Sequence, residues 1–64
     1  MVKMSEQQIR AAYRSYKIGQ LAHNLGVTSA WATKLYDRYL QNPMVAQADE
    51  ENIRGLIQEN ENNE

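Results

Sequence analysis

The stretch from Ile18 to Asp37, IGQLAHNLGVTSAWATKLYD, reads as two short helices joined by a tight turn at Leu25-Gly26-Val27-Thr28. Glycine enters the left-handed backbone region without steric cost, so Gly26 is placed to end the first of the two. Thr28 carries a hydroxyl that can accept from the free N–H groups opening the second. Ala22, four residues before Gly26, is small where two helices meeting at this corner would cross closely.

Working outward, a first helix is expected from about Glu6 to Tyr16. Ser5 and Gln8 have capping-box spacing, and Ile9, Ala12, Tyr13 and Tyr16 form one apolar stripe flanked by Arg10, Arg14 and Lys17. A second helix, Ile18 to Leu25, turns Ile18, Leu21, Ala22 and Leu25 inward. The third, Ser29 to Leu40, buries Ala32, Leu35, Tyr36, Tyr39 and Leu40, and Asn42-Pro43 stops it, because the residue before proline avoids the helical region. A fourth helix is expected from about Ala48 to Glu59, with Ile53, Leu56 and Ile57 on one face. Gly55 weakens it by roughly 1 kcal/mol relative to alanine, and Asp49, Glu50 and Glu51 in its first turn suit the helix dipole. Residues 60–64 are polar and acidic and are expected to be disordered. The expected fold is all-α: a three-helix helix-turn-helix core over residues 1–43, a linker and C-terminal helix over 44–59, and a short disordered acidic tail over 60–64.

At 64 residues the chain allows one domain with a thin core. A chain this short buries only about 60% of its unfolded surface. It has no cysteine, so neither a disulfide nor a thiolate metal site can reinforce it, and one histidine, His23, makes no zinc site by itself. No cofactor is implied. No apolar run approaches the ~20 residues of a membrane span, and no signal-peptide pattern opens the chain, so a soluble, cytoplasmic protein is expected. Self-association is the expected source of further stability.

The net charge of −1 conceals two opposite halves. Residues 1–43 carry Lys3, Arg10, Arg14, Lys17, Lys34 and Arg38 against Glu6 and Asp37, a balance of +4. Residues 44–64 carry Arg54 against Asp49, Glu50, Glu51, Glu59, Glu61 and Glu64, a balance of −5. Such a division fits a basic surface facing phosphates with an acidic segment held away from it; an ordinary solvated surface with an acidic tail is the plainer reading.

A helix entering the major groove of DNA needs small or short polar residues near its N-terminus, where its backbone lies nearest the base edges. Ser29, Ala30 and Thr33 meet that demand in the third helix. Lys34 can donate to guanine acceptors or a phosphate, and Arg38, one turn later, can hold the backbone. Burial of positions 32, 35, 36, 39 and 40 leaves 29, 30, 33, 34, 37 and 38 outward. Asp37 would repel phosphate and is expected to point past a duplex or to pair with Lys34 or Arg38.

Leu21-Ala22, Leu25-Gly26-Val27, Thr28-Ser29 and Leu35 resemble in their spacing the helix-turn-helix of the Cro and phage-repressor type, over about a third of the chain. The resemblance implies that Ser29, Ala30 and Lys34 read bases, that Thr28 and Thr33 contact backbone or bases, and that Lys17 and Gly19 lie at the phosphate-anchoring start of the second helix. Two positions depart from the pattern. Ile18 stands where several relatives carry a polar contact residue, and Ala32 is smaller than the usual branched core residue.

Trp31 lies between the inward and outward sides of the third helix, and it suits monomer packing, a protein interface or a wedge against sugar-phosphate. Tyr13, Tyr16, Tyr36 and Tyr39 fall on core stripes, with hydroxyls expected to reach water at the rim. His23 faces outward. The acidic residues come without a base, nucleophile or glycine-rich phosphate loop at useful spacing, so an enzyme is not expected. Two functional expectations follow. The first is a sequence-specific double-stranded DNA-binding regulator of phage, plasmid or bacterial type, a repressor working as a homodimer through Ile53, Leu56 and Ile57, with Met44 and Val45 near them. The second is a protein-interaction module, antitoxin-like or binding a host factor, whose acidic C-terminal segment holds a basic partner.

Overall fold

The computed structural model describes residues 4–62. They form three helices: α1, Glu6–Leu25; α2, Ser29–Tyr39; and α3, Pro43–Asn62. The all-α expectation holds for the described residues, but the partition into four helices does not.

The break expected between Tyr16 and Ile18 is absent, and α1 runs on through Lys17 and Gly19. The reason lies in how the apolar residues are phased. Ile9 and Tyr13, both buried, share one side of α1, whereas Ile18 follows Tyr13 by five positions, roughly 140° further around the axis. A single helix with apolar stripes on two different sides therefore reads as two helices with one stripe each. α1 uses both stripes and packs against both α2 and α3, bonding α2 through Arg14 and α3 through Arg10 and Tyr13.

The termini of α1 and α2 follow local chemistry. Ser5 accepts from the Gln8 N–H at 3.2 Å while the Gln8 side chain accepts from the Ser5 N–H at 2.8 Å, a complete capping box. Gly26 takes φ 65° and ψ 37°, the left-handed conformation that ends α1, and the Gly26 and Val27 N–H groups both return to the Ala22 carbonyl. Thr28 then caps α2, its Oγ1 accepting from the Trp31 N–H at 3.2 Å. Ala32 is 0% exposed, so the short side chain is what lets the backbone of α2 lie against its neighbour.

Asn42-Pro43 does more than stop α2. The Asn42 side chain accepts from the Met44 N–H at 2.9 Å and its carbonyl from the Ala46 N–H at 3.0 Å, while Pro43 occupies the first helical position. Proline suits that position because its missing N–H would have had no partner there. α3 therefore begins five residues earlier than expected, and residues 44–47, expected as linker, are helical. At its other end it continues through Asn62, and Asn60 bonds the Met4 backbone in both directions, at 2.9 and 3.4 Å. The disorder expected from residue 60 does not apply to 60–62; Asn63 and Glu64 lie outside the described residues.

The earlier start relocates the acidic residues of α3. Asp49, Glu50 and Glu51 are not in its first turn, so the dipole argument for them fails. Asp49 instead lies in the core at 7% exposure, where it accepts from the Tyr13 hydroxyl at 3.1 Å and from the Tyr36 hydroxyl through its other oxygen. Asn52 donates to the Tyr13 hydroxyl at 3.1 Å. The hydroxyls of Tyr13 and Tyr36 thus do not reach water, contrary to expectation, and one carboxylate ties all three helices together. Among the described residues no buried side-chain polar atom lacks a partner.

Candidate nucleic-acid interface

α2 has a sharply divided surface. Ala32 and Tyr36 are buried and Leu35 and Leu40 are partly covered, whereas Tyr39, expected on the buried face, is 46% exposed; Ser29, Ala30, Lys34, Asp37 and Arg38 are exposed. By helical spacing Ala30, Lys34 and Arg38 occupy an outward strip about 80° wide. Ser29 and Thr33 form one shoulder of it, where the Thr33 hydroxyl donates to the Ser29 carbonyl at 2.8 Å and keeps its lone pairs available. Trp31 forms the other shoulder beside Arg38. At 52% exposure about half of its surface is open to solvent.

Ion pairing sorts the cations of the chain. Arg10 bonds Glu50 at 2.8 Å and Glu6 at 3.0 Å, and Arg54 reaches Glu50 at 3.4 Å. Arg14 takes Asp37 at 2.7 Å and lies 5.6 Å from the centre of the Tyr36 ring. The carboxylate of Asp37 is therefore drawn toward α1, not toward Lys34 or Arg38 as expected. Lys17, Lys34 and Arg38 make no ion pair among the described residues. Two of these three stand one turn apart on the outward strip of α2.

The perturbed titrations lie away from that strip. Hydrogen bonding to Arg10 holds the Glu50 carboxyl down at about 2, and the same pair pushes the Arg10 guanidinium up. Burial, then the hydrogen bond to Asp49, pushes the Tyr36 hydroxyl above the ordinary tyrosine range. These groups hold α3 in place. The acidic segment expected to stay clear of the basic half instead folds onto it, and Glu50 occupies a cation of α1.

The two α1 residues carried over from the family pattern do not join the α2 strip. Lys17 borders a cleft of about 240 Å³ lined also by Leu21, Tyr36, Tyr39 and Val45, on the inward side of α2. Gly19, two residues on, lies across the axis of α1 from Lys17. Because α1 is continuous, Ile18 and Gly19 are interior helical residues, and no helix N-terminus with free N–H groups exists there to anchor a phosphate. Thr28 remains at the edge of the strip with its hydroxyl engaged as the cap of α2. Leu56 is exposed while Ile53 and Ile57 are partly covered, and the three line separate grooves although their spacing puts them on adjoining parts of one face of α3.

The Asp49 cluster was missed from sequence, although its signal is there. Ala46, Asp49, Ile53, Leu56 and Asn60 alternate in steps of three and four, which puts Asp49 and Asn60 in line with the apolar stripe of α3. No described helix is long and apolar enough to cross a membrane, and no group of three or more metal-ligating side chains comes together among the described residues. No family model, curated protein or solved structure matches this chain.

Proposed function

We propose that the chain is a sequence-specific double-stranded DNA-binding regulator, a repressor that sets α2 into the major groove and works as a homodimer on a pseudo-palindromic operator. The observation that carries this reading is the outward strip of α2. Small Ala30 stands near the helix N-terminus, Lys34 and Arg38 follow without carboxylate partners among the described residues, and the capped Gly26–Thr28 corner precedes the strip. Lys34 is the base reader and Arg38 the phosphate contact, with Ser29, Ala30 and Thr33 lining the approach. Two copies would place their α2 helices about one DNA turn, ~34 Å, apart.

The test is enrichment of ligands from a random duplex pool, followed by fluorescence anisotropy on selected and scrambled DNA at two salt concentrations. An inverted repeat bound well above scrambled DNA is expected. Lys34→Ala should cost about 1–3 kcal/mol at one base position, whereas Arg38→Ala should weaken all sequences alike and flatten the salt dependence. Lys17→Ala should change affinity little, since Lys17 borders the inward cleft. Uniform weak binding to every duplex would sink the proposal.

A second reading draws on α3, which exposes Glu51, Glu59 and Glu61 to solvent. Here the acidic helix holds a basic protein partner. Replacing these three by glutamine should abolish partner capture and leave operator affinity unchanged, and a loss of both would discard this reading.

A further inference from the structure

We infer that Arg14, on α1, is a positioning residue for DNA contact by α2: it holds the Asp37 carboxylate away from Lys34 and so keeps a base-reading cation free. By helical spacing Asp37 stands about 20° around the axis from Ala30 and about 60° from Lys34, on the outward side of α2. It is the one acidic residue of that helix. A carboxylate three residues after a lysine is within reach of it. A negative charge on this side also faces the phosphates of an approaching duplex, and like charges set against each other across an interface disfavour binding. Local sequence alone therefore puts a repulsive group beside the strip that is proposed to read DNA. The tertiary fold removes it. Arg14 donates to Asp37 at 2.7 Å, and among the described residues Asp37 forms no ion pair with Lys34 or Arg38.

Arg14 is suited to this task by what lies beneath it. Its guanidinium stands 5.6 Å from the centre of the Tyr36 ring. That ring is 4% exposed, and its hydroxyl donates to the buried Asp49. A guanidinium set over a ring fixed in the core meets Asp37 with less freedom to lose than an arginine projecting into water. The Arg14 and Asp37 side chains are themselves 43% and 55% exposed, so the pair contributes little to stability. Its consequence is the placement of charge. The Ala30–Lys34–Arg38 strip keeps both cations, and the acid beside it is neutralised from α1. This inference rests on the operator reading and deepens it, by giving α1 a part in base discrimination without a base contact of its own.

The test is anisotropy on the selected operator at about 0.1 M salt, where charges beyond ~10 Å are largely screened. Arg14→Gln should weaken binding at least about fivefold, because it leaves a bare carboxylate on the DNA face. Asp37→Asn should bind more tightly than wild type. The double variant Arg14→Gln/Asp37→Asn, with the net charge of wild type, should return to within about twofold of it. A pair that served only to hold α1 against α2 would lose affinity from either single substitution. An arginine that itself met a phosphate would leave the double variant as weak as Arg14→Gln. Either result overturns the inference. A second measurement needs no DNA: the side-chain nitrogen NMR shift of Lys34. It should be alike in wild type and Asp37→Asn, and should differ between Arg14→Gln and the double variant. Equal shifts in the last two would mean that released Asp37 does not turn to Lys34, and would also overturn the inference. A wild-type chain with no selective duplex binding fails the operator reading itself, whereas selective wild-type binding with an unrescued Arg14→Gln fails this inference alone.

Discussion

Toward its C-terminus α1 meets α2 through Leu21, the completely buried Ala32 and a turn whose polar devices are the caps Gly26 and Thr28. Toward its N-terminus it meets α3 through a buried carboxylate, two tyrosine hydroxyls and a ladder of ion pairs. One helix thus joins a corner written in neighbouring residues to a junction assembled from residues as many as 56 positions apart. The corner's caps are uncharged, and the ion pair nearest to it, Arg14–Asp37, is exposed. The junction depends on a buried charge, and the contrast predicts where each perturbation acts.

The largest effect is expected at the junction. Asp49→Ala leaves the Tyr13 and Tyr36 hydroxyls without their acceptor and opens a void, a loss of about 2–5 kcal/mol. A domain of this length has only about 3–10 kcal/mol in total, so urea titration should find α3 detached or the whole chain unfolded under mild conditions. The raised Tyr36 hydroxyl has a consequence of defined sign. Its contribution is complete below the ordinary tyrosine value near pH 10 and is lost as pH rises beyond it, because the unfolded chain deprotonates first. Alkaline unfolding followed by tyrosinate absorbance should show Tyr36 ionising only as the fold opens, and early ionisation would contradict the buried network.

Next comes the corner. Gly26→Ala forces a side chain into φ 65° and should cost about 1–2 kcal/mol, although nothing lies within 4 Å of the new methyl group. Gly55→Ala makes the opposite case. It too meets open space, but in ordinary helical backbone, so it should stabilise by about 0.5–1 kcal/mol. Equal signs for the two alanines in thermal unfolding would refute the distinction. Their contrast separates backbone strain from contact.

The smallest effect is expected from the exposed ladder. Glu50, held down at about 2 by Arg10, contributes stability that is present above the unfolded carboxylate value and lost as pH falls through that value toward 2. Solvent and salt screen this pair, so the loss should be slight and should shrink further in high salt. Amide hydrogen exchange should register it in α3 and the first half of α1, leaving the Gly26 corner unchanged. Glu50→Gln should remove that acid dependence.

How far the fold was legible divides along the same line. Gly26, Thr28 and the Ser5–Gln8 box act on groups two to four residues away, and the turn, both caps and the span of α2 could be read directly. Distant partners had no such local signature. Tyr16 and Ile18 mark where α1 changes the side it buries, a change imposed by α2 and α3 and easily taken for a break. Pro43 signals a stop and a start equally well, and only the Asn42 cap decides for the start. Asp49 carries a charge that composition assigns to the surface, and the two tyrosines that accommodate it lie 36 and 13 positions back. On the candidate DNA face the outward identity of Ala30, Lys34 and Arg38 followed from periodicity. The diversion of Asp37 to Arg14, which leaves both cations without a carboxylate among the described residues, needed the packing of α1.

The paired hydrogen bonds between Met4 and Asn60 make this chain a nearly closed ring. A short flexible peptide joining residue 62 to residue 4 would complete the circle, and new ends could be opened in the exposed turn at Gln41–Asn42, between α2 and α3. Such a circular permutant would keep α1 and α2 contiguous while making the α1–α3 junction a neighbouring contact in sequence. It would convert the slower, long-range half of the fold into a local hairpin of helices, and folding should accelerate accordingly.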